Sequence, residues 1–123
     1  MKRYNKNLGD FGEEAAESFL KEKGFVILKR NYNTAFGEID IIAFDKNMLV
    51  FTEVKTRSSL KYGMPVEAID KNKKIHMKRA AGEYFAKHPT ENEIRFDVVE
   101  VSAVLNNGFY ELENINHIED VII

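Results

Sequence analysis

Charged side chains interrupt two apolar segments between Gly37 and Arg57, in the stretch GEIDIIAFDKNMLVFTEVKTR. Both segments are short and rich in β-branched and aromatic residues, and the turn-forming residues 45 to 48 join them, so we predict a β-hairpin. Four ionisable residues stand in this otherwise apolar hairpin, and they are Glu38, Asp40, Glu53 and Lys55. Their types and spacing are the main indication of chemistry in the chain.

The turn sets the register of the predicted hairpin. A turn centred on residues 46 and 47 pairs Phe44 with Leu49, which places Asp40 opposite Glu53 and Glu38 opposite Lys55. Directly opposed side chains have Cβ atoms roughly 4.5–5.5 Å apart, and like charges there destabilise the strand pair. We therefore expect two carboxylates to be held together at the edge of a core.

Such a carboxylate pair needs a proton, a water-filled opening or a cation, because burying uncompensated charge is costly. A hard divalent ion such as Mg²⁺ prefers oxygen ligands and is commonly held by carboxylates together with substrate phosphate. Lys55 lies two residues beyond Glu53 on the same strand face, where an ammonium can meet charge developing on a phosphate. The pattern indicates metal-assisted phosphodiester hydrolysis. Exposed residues on a half-solvated sheet, with an ordinary Glu38–Lys55 ion pair, are the alternative interpretation.

Helices and further strands surround this hairpin in the predicted order αβββαββ. Residues 7–23 predict a helix with Asn7 as N-cap and Gly24 as its end, and Glu13 flanks its buried stripe. Residues 25–32 predict the first strand. A loop over residues 58–65 leads to a second helix, which starts at about Val66 or Asp70 and ends at Lys87.

The C-terminal third predicts two more strands. They cover residues 94–105 and residues 109 to about 112 or 115, with a turn at Asn106-Asn107-Gly108 between them. We expect Arg95 and Asp97 to be edge or surface residues. The three histidines lack metal-ligand spacing, so we expect no catalytic role for them. Residues 121–123 are apolar and would pack on the core or form a contact in a homodimer.

Charge is unevenly distributed along the chain. The formal net charge is −2, but residues 54–90 carry 9 basic and 3 acidic side chains, whereas residues 91–123 carry 1 and 8. A basic segment directly after the acidic hairpin suits a phosphate backbone that approaches a metal site. We predict contacts to nucleic acid, DNA rather than RNA, from Arg57, Lys73, Lys74 and Lys78. The alternative for the lysines of the second helix is that they form its solvated face.

Length and composition narrow the class of protein. With 123 residues, 44% hydrophobic and 31% charged, the chain fits one globular α/β domain over residues 1–123. It has no cysteine, which excludes disulfides and thiolate metal sites. The N-terminus lacks the apolar stretch of a signal peptide, and no run has membrane-spanning length, so we expect a cytoplasmic protein that does not bind membranes.

Five short motifs carry a resemblance to known proteins: Gly12-Glu13, Gly37-Glu38-Ile39-Asp40, Glu53-Val54-Lys55, Pro65-Val66-Glu67-Ala68 and Arg95-Phe96-Asp97-Val98. Together they resemble the YraN-like family of uncharacterised endonuclease candidates over nearly the whole chain. The element order and the Asp, Glu-x-Lys pattern resemble the wider PD-(D/E)XK nuclease superfamily, with archaeal Holliday-junction resolvases as more distant relatives. The resemblance implies a restriction-endonuclease-like core, with a mixed central sheet and helices on both faces.

The resemblance also implies roles for individual residues. Asp40, Glu53 and the carbonyl of Val54 would bind Mg²⁺ or Mn²⁺, Lys55 would assist the attacking water, and Glu13 would supply a further acid. Ile39 stands where the superfamily often has proline, which is a common variation. The implied function is endonucleolytic cleavage of DNA, branched or single-stranded. A nucleic-acid-binding module or assembly partner that does not cleave is the alternative, because a shared fold does not establish a reaction.

Overall fold

A computed structural model describes residues 7–58 and 70–123 of the chain. In these described ranges two α-helices and five β-strands follow one another in the order αβββαββ. The helices are α1 (Leu8–Glu22) and α2 (Lys71–Lys87), and the strands are β1 (Val26–Thr34), β2 (Gly37–Asp45), β3 (Met48–Ser58), β4 (Glu93–Asn106) and β5 (Phe109–Ile118). Each element lies within a few residues of its predicted span.

The five strands form one mixed sheet in the order β1-β2-β3-β4-β5. Strands β3 and β4 are parallel, and the other three neighbouring pairs are antiparallel. The parallel pair needs a crossover, which contains α2, whereas tight turns join the antiparallel pairs β2–β3 and β4–β5. The predicted α/β class with a mixed sheet is therefore confirmed.

Helices cover both faces of the sheet, as the family resemblance implied. Side chains alternate along β3, so that Val50 packs in a cluster with α1 while Phe51 packs in a second cluster with α2. The first cluster includes Ala16 and Leu20 of α1, and the second includes Tyr84 of α2. This arrangement leaves α1 and α2 on opposite sides of β2 and β3.

Helix α1 begins and ends as its sequence predicts. The Asn7 side chain caps it by accepting a hydrogen bond of 3.0 Å from the backbone N–H of Asp10. After the helix, Gly24 adopts φ +97°, a conformation that glycine tolerates best, and the chain turns directly into β1. The face that packs on the sheet consists of Phe11, Gly12, Ala16 and Leu20.

The predicted register of the β2–β3 hairpin is confirmed where the two strands pair. Phe44 pairs with Leu49, and the ladder continues as far as Ile41 and Thr52. It ends there, one residue pair short of Asp40 and Glu53, while β3 continues in parallel with β4 up to Ser58. Strand β2 thus separates from β3 at the ionisable residues.

The faces of β2 depart from regular alternation. In a regular strand Ile39 would share a face with Ile41, but Ile39 packs in the α2 cluster and Ile41 in the α1 cluster. The opposite segment of β1 is irregular, because Asn31 adopts a positive φ of 51° between the pairs Arg30–Ile41 and Tyr32–Ile39. Regular pleating is interrupted where the β2–β3 ladder ends.

Helix α2 begins at the later of its two predicted starts. The side chain of Asp70 accepts a hydrogen bond of 2.8 Å from the backbone N–H of Lys73, which is N-cap geometry. The predicted loop over residues 58–65 lies outside the described residues beyond Ser58, and so does the alternative helix start at Val66.

Arg95 and Asp97 are not surface residues, which corrects the prediction. The side chain of Asp97 is fully buried, and the guanidinium of Arg95 binds both of its carboxylate oxygens at 2.8 and 2.9 Å. His117 on β5 contacts Asp97 Oδ2 through Nε2 at 2.8 Å. Burial alone would raise the pKa of Asp97, but hydrogen bonds from His117, Arg95 and the Asp120 N–H outweigh it and hold that pKa below its usual range.

The C-terminal residues pack partly on the core, one of their two predicted roles. Val121 and Ile123 contact the small cluster of Met77 and Val98, and the Val121 N–H donates to the carbonyl of Phe96 at 2.7 Å. Ile122, between them, is exposed.

Neither helix in the described part of the chain has the length and apolar character that a bilayer crossing requires.

Candidate metal centre

Three carboxylates from two elements converge where the β2–β3 ladder ends. They belong to Glu13 on α1 and to Glu38 and Asp40 on β2, and one oxygen of each lies within 4.8 Å of the others. Among the described residues this is the one group of three or more potential metal ligands. The predicted meeting of Glu13 with Asp40 is therefore present, and Glu38 joins them.

The backbone of β3 fixes the carboxylate of Asp40. Its Oδ2 accepts a hydrogen bond of 2.8 Å from the backbone N–H of Val54, just beyond the end of the ladder. The predicted proximity of Asp40 and Val54 is therefore present, although the contact uses the amide of Val54 rather than its carbonyl. The Asp40 side chain thus accepts a hydrogen bond from a β3 amide at the point where the backbone pairing of β2 with β3 has ended.

The surroundings of Asp40 favour its protonated form when no cation is present. Partial burial raises the pKa of Asp40 to about 7, with a further contribution from the neighbouring negative charge of Glu53 and a smaller one from Glu13. The Val54 N–H and the Lys73 ammonium lower the pKa of Asp40, but by less than burial and the two carboxylates raise it. This site therefore has an excess of negative charge.

Glu53 lies on β3 and contacts α2. Lys73 Nζ is 3.2 Å from Glu53 Oε2, and the Glu53 side chain is only 14% exposed. Sequence predicted Lys73 as a contact to phosphate, but in this structure its ammonium is bound to one of the predicted metal ligands. Glu53 remains close enough to Asp40 to influence its ionisation.

Two residues of β1 hold Glu13 from the other side. The side-chain amide of Asn31 donates to Glu13 Oε1 at 2.7 Å and to Glu38 Oε1 at 3.2 Å. Arg30 binds Glu17 at 3.0 Å and lies 3.5 Å from Glu13 Oε1. Sequence reasoning missed both residues, because their role depends on how α1 crosses β1.

The Glu38–Lys55 ion pair of the alternative interpretation does not form between these two described residues. Glu38 contacts Asn31 and the carboxylate cluster instead, because β2 and β3 are no longer paired at this height. Lys55 shares a strand face with Glu53 through alternation, and it makes no ion pair with any residue in the described ranges. Its register partner on β4 is Glu100, whose Oε2 is buried and has no hydrogen-bond partner among the residues that the structure describes.

The other predicted nucleic-acid contacts lie on β3 and α2. Arg57 is partly buried near the end of β3, Lys74 is partly buried in the first turns of α2, and Lys78 is exposed one turn further on. Neither Lys74 nor Lys78 forms an ion pair inside the described part of the chain. Their ammonium groups are therefore available on the helix that covers the Glu53 side of the sheet.

The donor set fits a hard divalent cation. Glu13, Glu38 and Asp40 offer oxygen atoms at mutual distances that one ion can span. Burial and the charges of Glu53 and Glu13 raise the pKa of Asp40, and a bound cation would favour its ionised form. Glu53, a predicted ligand, lies outside this group of three and is paired with Lys73. Cysteine and histidine are missing from the group, as Mg²⁺ or Mn²⁺ would favour. No particular metal is identified by this arrangement.

Comparison with known proteins identifies the family. The profile of the uncharacterised protein family UPF0102 matches residues 12–101. A UPF0102 protein of Clostridium acetobutylicum is 45% identical over 118 residues, covering 95% of this chain and 97% of the relative. Similar proteins occur in Caldicellulosiruptor saccharolyticus (47% over 113 residues, 91% and 96%) and Dictyoglomus thermophilum (44% over 98 residues, 79% and 83%). With this agreement over nearly its whole length, the chain belongs to the UPF0102, or YraN-like, family.

Proposed function

We propose that this protein is a metal-dependent endonuclease that hydrolyses phosphodiester bonds in DNA, with branched or single-stranded DNA as the preferred substrate. In this proposal the sheet and its two helices form a restriction-endonuclease-like core of the PD-(D/E)XK superfamily. The observation that carries it is the convergence of Glu13, Glu38 and Asp40 where β2 separates from β3, with Glu53 beside them.

Glu13, Glu38 and Asp40 would hold Mg²⁺ or Mn²⁺, with Glu53 and the backbone carbonyl of Val54 as the further ligands that the family resemblance implies. When bound, the ion supplies charge stabilisation for the phosphoryl oxygens and orients the reacting groups. Holding several carboxylates in advance at one point costs folding energy, which binding of the ion returns. Converging carboxylates are therefore expected where a cation binds and are unfavourable where none binds.

The hydrolysis requires a water oxygen to form a bond to phosphorus while the bond to a sugar oxygen breaks. Lys55 lies on the strand face of Glu53, where its ammonium would orient the water and offset charge that develops on the phosphoryl group. The proton of the water passes to a solvent molecule. The departing sugar oxygen takes a proton from solvent.

The basic part of the molecule would position the DNA. Lys74 and Lys78 project from α2, which packs on the side of the sheet that carries Glu53 and Lys55. Contacts of this kind neutralise phosphates without reading sequence. A preference for branched or single strands rather than a base sequence is consistent with a site of this type.

A cleavage assay on purified protein tests the proposal. Linear, single-stranded, flapped and four-way DNA and RNA substrates are incubated with Mg²⁺ or Mn²⁺ beside Asp40→Ala and Lys55→Ala variants. Cleavage that disappears in both variants, while their circular dichroism spectra stay unchanged, supports the assignment. The exposed Lys46→Ala variant, at the hairpin turn, serves as a matched control and should cleave like the wild type.

The ion pair between Lys73 and Glu53 favours a second candidate function. An ammonium 3.2 Å from Glu53 partly fills the position of a metal ion, as in a nucleic-acid-binding module that does not cleave. That function predicts salt-sensitive DNA binding without turnover. Cleavage that depends on Asp40 would exclude the non-cleaving module. DNA binding with no cleavage of any tested substrate in Mg²⁺ or Mn²⁺ would exclude the endonuclease.

A further inference from the structure

We infer that Asn31 is the positioning residue of the candidate metal centre, holding Glu13 and Glu38 in the arrangement that receives the cation. This inference deepens the proposed function and rests on it. Asn31 is neither a predicted ligand nor part of the motifs that carry the family resemblance. It lies on β1, whereas the ligands lie on α1, β2 and β3.

The geometry of Asn31 is specialised for this contact. Its φ of 51° is a left-handed conformation that most side chains avoid and that asparagine tolerates better than other residues with a Cβ. The strand pairs on either side, Arg30–Ile41 and Tyr32–Ile39, place it across from Asp40. From that position its Nδ2 reaches Glu13 and Glu38 simultaneously.

The amide group is chemically suited to the task. It donates hydrogen bonds to both carboxylates, which keeps two negative groups together despite their repulsion. Because it is neutral, it leaves their charge available to an incoming cation, whereas the Arg30 guanidinium, 3.5 Å from Glu13 Oε1, is bound more closely to Glu17 at 3.0 Å. A hydrogen bond that orients a metal ligand in this manner commonly affects metal affinity by about 10–100-fold.

A substitution to glycine tests the side-chain amide of Asn31 without changing the backbone conformation. Asn31→Gly retains access to positive φ and removes only the side chain. Asn107→Gly is the matched control, because Asn107 has nearly the same φ of 53° at the β4–β5 turn. Mn²⁺ affinity is measured directly by electron paramagnetic resonance, and cleavage is measured as a function of Mn²⁺ concentration.

We expect Asn31→Gly to weaken Mn²⁺ binding by about 10-fold or more, while cleavage at saturating Mn²⁺ stays within about 3-fold of the wild type. A defect confined to metal affinity is the signature of positioning, since a merely destabilised protein would lose both. Asn107→Gly should change neither quantity.

A double-mutant cycle tests whether Asn31 acts through Glu13. In a Glu13→Gln background, Asn31→Gly should weaken Mn²⁺ binding by clearly less than it does in the wild type, because the shared contact is already altered. If wild-type protein binds and uses Mn²⁺ but Asn31→Gly behaves like Asn107→Gly, this inference alone is overturned. If the wild type neither binds Mn²⁺ nor cleaves, the proposed function is overturned with it.

Discussion

At the scale of single residues, Asp40 is a partly buried carboxyl group among other carboxyl groups. Burial and the charges of Glu53 and Glu13 raise its pKa to about 7, while Lys73 and the Val54 N–H compensate only in part. In an unfolded chain the same group ionises near 3.8. The folded state therefore holds the Asp40 proton more tightly than the unfolded state, and ionisation of Asp40 destabilises the fold.

This difference predicts how Asp40→Asn changes stability with pH. Below about pH 4 both states are protonated and the variant should resemble the wild type. Between about pH 4 and about pH 7 the unfolded wild type loses the Asp40 proton while the folded wild type keeps it, which lowers the free energy of unfolding of the wild type. The variant should therefore become more stable than the wild type by roughly 2–4 kcal/mol and stay so above pH 7. The asparagine oxygen still accepts from the Val54 N–H. Urea denaturation in EDTA at several pH values measures the difference.

The exposed first-turn variant Asp10→Asn is the control for this measurement. It should shift the free energy of unfolding by no more than about 0.5–1 kcal/mol. Addition of Mg²⁺ or Mn²⁺ should raise the stability of the wild type and leave Asp40→Asn nearly unchanged. An Asp40→Asn curve parallel to that of the wild type would contradict the raised pKa.

At the scale of elements, a close approach between α1 and β3 places Glu13 beside Asp40. Gly12 packs directly on the Thr56 side chain, and a Cβ added at Gly12 would lie 2.6 Å from the Thr56 methyl group and closer still to its hydroxyl. Such distances require the helix or the strand to move. The absence of a side chain at Gly12 therefore sets the depth at which the next residue, Glu13, reaches the site.

Gly12→Ala is expected to destabilise the protein by roughly 1–3 kcal/mol, although alanine is the better helix former. Gly82→Ala in α2 is the matched control, because a Cβ there meets no atom within 4 Å. That variant should gain up to about 1 kcal/mol from helix propensity. Thermal and urea unfolding measure both. A Gly12→Ala protein as stable as Gly82→Ala would show that α1 can shift without cost.

At the scale of the whole molecule, opposite charges are concentrated in different parts of the chain. Residues 54–90 carry 9 basic and 3 acidic side chains, and residues 91–123 carry 1 and 8. The fold places Lys73, Lys74 and Lys78 on α2, with Lys73 in contact with Glu53. A molecule with a net charge of −2 can therefore present a local basic surface next to its candidate site.

Binding to DNA is expected to depend on this surface. Lys74→Ala and Lys78→Ala should each weaken binding of a four-way DNA junction in EDTA and reduce the slope of log affinity against log salt by about 1. Lys87→Ala, at the far end of α2 and paired with Glu83, is the control and should leave the slope unchanged. Fluorescence anisotropy at several salt concentrations measures the slopes. Equal slopes for all three variants would locate the DNA elsewhere.

Much of this protein was determined by local sequence patterns. Alternating apolar residues and turn residues predicted the hairpin and the pairing of Phe44 with Leu49, and the cap at Asn7 predicted the start of the first helix. The start of the second helix was left open between Val66 and Asp70, and the N-cap at Asp70 decided it. These features depend on neighbours in the chain, so the sequence contains them directly. The family motifs also selected Glu13 and Asp40 as partners.

Tertiary structure alone decided the features that depend on contacts between distant segments. Asn31 reaches Glu13 and Glu38 only because β1 is irregular beneath α1, and Asp97 is buried only because His117 and Arg95 satisfy its charge. Residue type predicts exposure for an aspartate, and only the partners supplied by the fold reverse that expectation. Local sequence patterns thus specified the helices and strands, whereas the separation of β2 from β3 created the site. The reason is that the partners of a carboxylate come from distant segments of the chain, which meet only after folding.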